Sequence, residues 1–184
     1  MGHNQDKMNQ WYLKKWQTRD TEFTAGFEIS GRQLADNIKE GELVLDVGCA
    51  TNPFSKILPN CIGVDPGNEH ADVHSTIEDF VPPHLFDVAF CLGSVNFGTE
   101  EIISTQVAKV VECLKPTGRI YWRLMPYIPP KADDEEEYLT CFPWTFEKLQ
   151  EFADKHGFTQ SAEAEEFNLN ADHDYVRLYA EWHR

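Results

Sequence analysis

The sequence predicts an α/β fold, a three-layer sandwich with a mostly parallel sheet between helices on both faces. Three observations carry that prediction. Apolar runs at residues 43–45, 61–64 and 86–92 have the composition of strands buried on both faces. Residues 99–114 set Ile102, Ile103, Val107, Val110, Val111 and Leu114 at helical spacing between two strand patterns. The chain then closes on two more strand patterns joined by turn formers, which reads as an antiparallel hairpin.

Taken in order, residues 1–41 read as an amino-terminal helical cover. Met8, Trp11, Tyr12 and Trp16 fall about once per turn, and Phe23, Phe27, Leu34 and Ile38 carry the spacing into a second helix that Gly41 closes. Residues 42–125 form the next unit. Leu43, Val44 and Leu45 enter the sheet, Asp46 stands at the strand end, and Gly48 lets the backbone bend sharply below the small Cys49 and Ala50. Asn52 is placed to cap a helix beginning at Pro53, so free backbone N–H groups face whatever lies over the strand tip. The second strand is followed by Asp65 and Pro66. Asp65 lies about 20 residues past the turn, the offset of a carboxylate that binds ribose hydroxyls. Pro82 and Pro83 break the chain before the run at 86–92, and KPTG at 115–118 ends the long helix before a strand at 119–125. Residues 126–143 are an acidic loop, with five consecutive acids at 133–137. Residues 144–184 supply a helix that stops at Gly157 and the closing hairpin, strands 158–169 and 175–182.

Composition bounds the function. A chain of 184 residues makes one domain. The formal charge of −15 disfavours duplex nucleic acid, although Lys14, Lys15 and Arg19 form either a local basic patch or a solvated helix face. No run approaches the roughly eighteen apolar residues of a membrane helix, so no membrane is expected and the protein reads as cytoplasmic. The five cysteines are widely spaced inside apolar runs and read as reduced core thiols. His70 and His74 have no matching carboxylate pattern, and Asp172, His173 and Asp174 serve a turn better than a metal, so no metal is expected.

The turn LVLDVGCATNPF at 43–54 breaks the dinucleotide pattern G-x-G-x-x-G, which argues against a nicotinamide enzyme. It resembles instead the first motif of the class I S-adenosylmethionine-dependent methyltransferases, with Ala50 where that motif has a second glycine. Three further landmarks extend the likeness in order: CIGVDPG at 61–67, ADVHSTIEDF at 71–80 and LKPTGRIYW at 114–122. The resemblance implies seven strands ordered 3-2-1-4-5-7-6, the last antiparallel, in a small single-domain member. It implies S-adenosyl-L-methionine held by Asp46, Gly48, Cys49, Ala50, Asp65 and Pro66, with Leu92 and Gly93 contributing backbone. Thr76 falls at the family's adenine-binding aspartate, so that contact comes from Thr76, Ile77, Glu78 or backbone groups. Substrate-pocket positions are Trp11, Tyr12, Asn96, Arg123 and Tyr127. Trp16 and Phe27 either pack on the sheet or join that pocket. Arg123 either binds a carboxylate or pairs with a surface acid, and the acidic loop is either a lid or a solvated loop. No catalytic base is assigned, since Asn96 and Phe97 stand where many small-molecule methyltransferases carry Glu-His. The implied activity is in-line methyl transfer to a small molecule or a protein side chain. The alternatives are a cofactor-binding regulatory module and an acidic protein-interaction module.

Overall fold

The apolar runs become strands because they can bury both faces. The computed structural model describes residues 7, 10, 27–126, 141–167 and 176–184. Within them β1 (Val44–Val47), β2 (Cys61–Val64), β3 (Phe86–Leu92), β4 (Leu114–Leu124), β5 (Thr159–Phe167) and β6 (Val176–His183) form one sheet ordered β2-β1-β3-β4-β6-β5. β1 pairs in parallel with β2 and β3, and β3 with β4. β6 runs antiparallel to both β4 and β5.

Seven strands were expected and six are found among the described residues. The missing one is the third of the expected order, reduced to a single parallel bridge between Val64 and Val73. The Asp72 side chain explains the loss. Its carboxylate takes the Gly63 N–H at 2.8 Å, while the N–H groups of Asp72 and Val73 both turn to the Gly63 carbonyl. Side-chain capture of a strand's backbone leaves no regular ladder to extend.

Among the described residues, two α-helices with described bounds lie on one face of the sheet. Helix α1 (Glu100–Glu112) starts at Thr99, whose hydroxyl accepts from the Ile102 N–H, and buries Ile103, Val107 and Val110. Helix α2 (Phe146–Lys155) is capped in the same way by Thr145 and buries Leu149, Phe152 and Ala153. Their inward stripes share a core with Leu45, Ala89, Ile120 and Trp122 of the sheet, each large side chain contributing about 1.5–3 kcal/mol of burial. Trp122 meets Trp182 edge-on at 4.8 Å between ring centroids.

Two 3-10 turns cover the opposite face in the described residues, η1 (Arg32–Asn37) and η2 (Phe54–Lys56). Leu34 and Phe54 seat there on Val44, Val88, Phe90 and Tyr121. The helix expected from Pro53 stops after one turn at Ile57, φ −125°, since Pro59 disfavours helical backbone at the residue before it. The helix expected to end at Gly41 shortens to η1 because Ile29 and Ser30 give their N–H groups to Glu166 of β5 instead. In β4, Leu114 pairs with Phe86 and Arg119 with Val88, so the expected KPTG turn is present as a bulge inside the strand. Among the described residues no helix is long and apolar enough to cross a membrane.

Candidate active site

The carboxyl ends of β1, β2 and β3 meet at the turn after Val47. Gly48 has φ of +67°, and a side chain there would overlap the Ser94 Cβ at the end of β3, so only glycine fits both demands. The N–H groups of Gly48 and Cys49 both donate to the Val64 carbonyl, at 2.7 and 3.2 Å, which folds the turn onto the tip of β2. Ala50 and Asn52 also take positive φ, 48° and 54°. A left-handed residue cannot be the extended cap expected of Asn52. Its amide instead donates to the His70 carbonyl at 3.1 Å and to Asp72 at 2.9 Å, tying the turn to the segment after β2. Gly63 allows this approach, for a Cβ there would lie 2.7 Å from the Cys49 sulfur.

Asp65 joins the two strand tips. Its Oδ2 accepts the Ala50 N–H at 3.1 Å, and its Oδ1 accepts those of Gly67 and Asn68 at 2.8 and 3.0 Å. Pro66 beside it is exposed. Asp46 differs in being buried, 4% exposed, and its carboxylate makes no hydrogen bond among the described residues. Burial pushes its carboxyl up to about 7; the charge of Arg123 pulls the other way, and Asp65 and Asp72 add to the rise. Burial likewise pushes the thiols of Cys49, Cys61 and Cys91 upward. Four of the five cysteines, Cys49, Cys61, Cys91 and Cys113, are buried thiols outside any disulfide.

The remaining expected positions divide in two. Thr76 is bonded locally, exchanging hydrogen bonds with the side chain and N–H of Asp79. The Ile77 side chain belongs to the core, and Glu78 accepts from Gln106 of α1 at 2.8 Å. Gly93, with φ of +116°, has open space where a Cβ would stand. Asn96 is fully buried; its Oδ1 accepts the Met125 N–H at 2.8 Å, and its own carbonyl accepts that of Phe142. The Asn96 Nδ2 and the Ser94 hydroxyl, both buried, have no hydrogen-bond partner among the described residues. Arg123 is buried, 7% exposed. It donates to the Ser30 and Leu92 carbonyls at 3.0 and 2.7 Å and stands 4.2 Å over the Phe27 ring. Burial holds its guanidinium down to about 10, with Glu166 and Asp46 opposing the fall, so it is charged at neutral pH. Trp11, Tyr12, Trp16, Tyr127, the acids at 133–137 and the cluster at 172–174 lie outside the described residues. Among those described, no group of three His, Cys, Asp or Glu residues is arranged to hold a metal.

Sequence reading missed Ser30 and Glu166. Nothing local marks Ser30, and the acid at 166 sits in a strand rich in glutamates, so only its 4% exposure sets it apart.

No family model matches the chain, and no curated protein sequence does. Solved structures do. N-methyltransferase NodS from Bradyrhizobium japonicum WM9, in complex with S-adenosylhomocysteine, superimposes with a TM-score of 0.67 at 15% identity, over 96% of this chain and 98% of its own. The 1,6-didemethyltoxoflavin-N1-methyltransferase of Burkholderia thailandensis, bound to 1,6-didemethyltoxoflavin and S-adenosylhomocysteine, gives 0.66 at 15% identity over 97% and 82%. Magnesium protoporphyrin IX methyltransferase from Synechocystis PCC 6803, with bound S-adenosylmethionine, gives 0.59 at 12% identity over 97% and 78%. At such identities the likeness is one of architecture, and this chain has the fold of the class I S-adenosylmethionine-dependent methyltransferases.

Proposed function

We propose that the chain is an S-adenosylmethionine-dependent methyltransferase that acts in line on a small molecule or a protein side chain. The observation that carries this reading is the junction of the turn with β2. There Gly48 and Ala50, at positive φ, expose backbone beside a carboxylate fixed by three N–H groups.

The residues fit that cofactor. A carboxylate offers about four lone-pair sites, so Asp65 keeps one for a ribose hydroxyl after its three backbone bonds. Asp46 is a buried acid with an unused carboxylate, suited to a ligand's cationic end. Gly48, Cys49, Ala50 and Pro66 would line the adenosyl path. Thr76, Ile77 and Glu78 would stand at the adenine, and Leu92 and Gly93 would form the floor. A sulfonium supplies a strongly electrophilic methyl, so the protein's task is mainly to hold the acceptor's lone pair in line with it. Asn96 would fix the loop after β3 beside that point, with its unpartnered Nδ2 directed at substrate, and Arg123 would hold the Leu92 carbonyl. Trp11, Tyr12 and Tyr127 are proposed to complete the pocket. The charge of −15 favours a neutral or cationic acceptor.

Titration calorimetry with S-adenosylmethionine and S-adenosylhomocysteine tests the cofactor. Release of S-adenosylhomocysteine during incubation with panels of amines, phenols, carboxylates and basic proteins then tests transfer. Absence of binding at millimolar ligand would overturn the reading. A cofactor-binding module without transfer is the second reading. It is favoured by the internal bonds of Asn96 and Arg123, which leave neither free to act as base. Tight binding with no turnover on any acceptor would select it.

A further inference from the structure

We propose that Glu166 is a positioning residue for the cofactor cleft: acting through Ser30 and Arg123, it seats the segment ahead of β1 and shares the positive charge that faces Asp46. The inference rests on the cofactor reading above.

Three buried side chains make a continuous chain that ends on the Leu92 carbonyl. The Glu166 carboxylate accepts the N–H groups of Ile29 and Ser30 at 3.2 and 3.1 Å and the hydroxyl of Ser30. The carbonyl and hydroxyl oxygens of Ser30 then accept from one Arg123 nitrogen at 3.0 and 3.3 Å. The other terminal nitrogen donates to the Leu92 carbonyl at 2.7 Å. Ser30, Glu166 and Arg123 are 0, 4 and 7% exposed. Register places the chain's end at the cleft. Asp46 pairs with Phe90 and Leu92 with Arg123, and side chains alternate along a strand, so Asp46, Leu92 and Arg123 share one face at the carboxyl ends of β1, β3 and β4.

Packing alone does not account for a buried carboxylate and a buried guanidinium here, because apolar side chains of similar volume hold such a junction at least as well. What apolar groups cannot do is deliver a fixed positive charge to Asp46 and divide it with a second acid. With Glu166 ionised, Arg123 is drawn from both sides, and Asp46 keeps much of its attraction for a ligand cation. With a neutral residue at 166, one negative charge is removed from beside the guanidinium, so Asp46 ionises at lower pH and the cleft draws a ligand cation less. The other groups that act on Asp46 are Asp65, Asp72 and the thiols of Cys49, Cys61 and Cys91, and Arg177, which pairs in register with Glu166, acts on Arg123; none of them changes in these variants.

The experiment is calorimetric titration of the full chain with S-adenosylmethionine across the pH range in which Asp46 ionises. It compares wild type, E166Q, S30A, the double variant and V110A, a core control in α1 remote from the cleft. E166Q and S30A are each expected to weaken binding about tenfold, with the double variant no worse than either, since both break one chain. E166Q also moves the pH midpoint of binding downward. V110A lowers the melting temperature and leaves affinity and midpoint unchanged. Should E166Q not fold, S30A decides. Wild-type affinity and midpoint in a folded E166Q or S30A variant would reduce the chain to a structural tie and overturn the proposal. A wild-type protein that binds no S-adenosylmethionine overturns the functional reading itself, and this proposal with it.

Discussion

Replacing Asp46 with asparagine keeps the shape of the side chain and removes its ionisation. Burial raises this carboxyl from 3.8 to about 7. At about 1.4 kcal/mol for each tenfold change in proton affinity, ionising it inside the fold costs on the order of 4 kcal/mol at pH 8. The folded-state value is the raised one. The associated stability is therefore fully present below 3.8 and is lost as pH climbs through about 7. A neutral acid and an amide carry similar desolvation, so wild type and D46N converge near pH 4 and part steadily above it. For a domain of this size about 2–4 °C of melting temperature goes with each kcal/mol, and D46N should melt roughly 10 °C above wild type at pH 8. The same variant should bind S-adenosylmethionine at least about tenfold more weakly, having lost a charged partner for the ligand's cationic end. Ligand-free melting curves from pH 4 to pH 8, by circular dichroism, give the first quantity and calorimetry the second. A melting difference independent of pH, or no gain at pH 8, would refute the account of Asp46 as a buried carboxylate held for a ligand.

Three other substitutions probe the same framework. A50G relieves a left-handed alanine, φ 48°, which costs about 1–2 kcal/mol, against about 0.5–1 kcal/mol of extra chain entropy for glycine; a rise of about 2 °C in melting temperature is expected, and a fall would show that the alanine is favoured there by contacts. D65A removes the acceptor for three N–H groups and should weaken S-adenosylmethionine binding about ten- to a hundredfold; unaltered affinity by calorimetry in a folded variant contradicts the ribose role. E42Q breaks a two-pronged pair in which Arg119 donates twice at 2.7 Å. That hydrogen bonding, foremost, holds the Glu42 carboxyl below its usual 4.5. Its stability is thus present above 4.5 and lost as pH falls through the lowered folded-state value, so E42Q should be less stable than wild type at pH 7 by about 1 kcal/mol, with the gap narrowing as the solution is acidified below 4.5.

What the sequence reveals in advance is local chemistry, and what it conceals is side-chain traffic between distant segments. Apolar runs such as FDVAFCL are readable because a strand buried on both faces has no polar alternative. Thr99 and Thr145 mark the starts of their helices for an equally local reason, a hydroxyl three residues from the N–H it caps. Gly48 and Asp65 are legible for the same cause, since tight turn and acid lie on successive strand ends. The third strand fails because the Asp72 carboxylate competes for the Gly63 N–H. The helix expected to end at Gly41 shortens because an acid 136 positions away takes the Ser30 N–H. Nothing in the neighbourhood of Asp72 or Ser30 announces either event. Asn52 shows the same limit on a smaller scale: asparagine suits a cap and a left-handed turn alike, and the choice was made by His70 and Asp72.

The bulge in β4 has a practical consequence. It lies at the amino ends of β3 and β4, where Leu114 still faces Phe86 before the chain resumes pairing at Arg119, the edge of the sheet farthest along those strands from Gly93. Thr117 at its crest is exposed. A cysteine introduced there, with the partly buried Cys141 replaced by serine, gives a tether for immobilising the molecule on a sensor surface with its opposite rim turned toward the solution, and the four other native thiols are shut inside the fold.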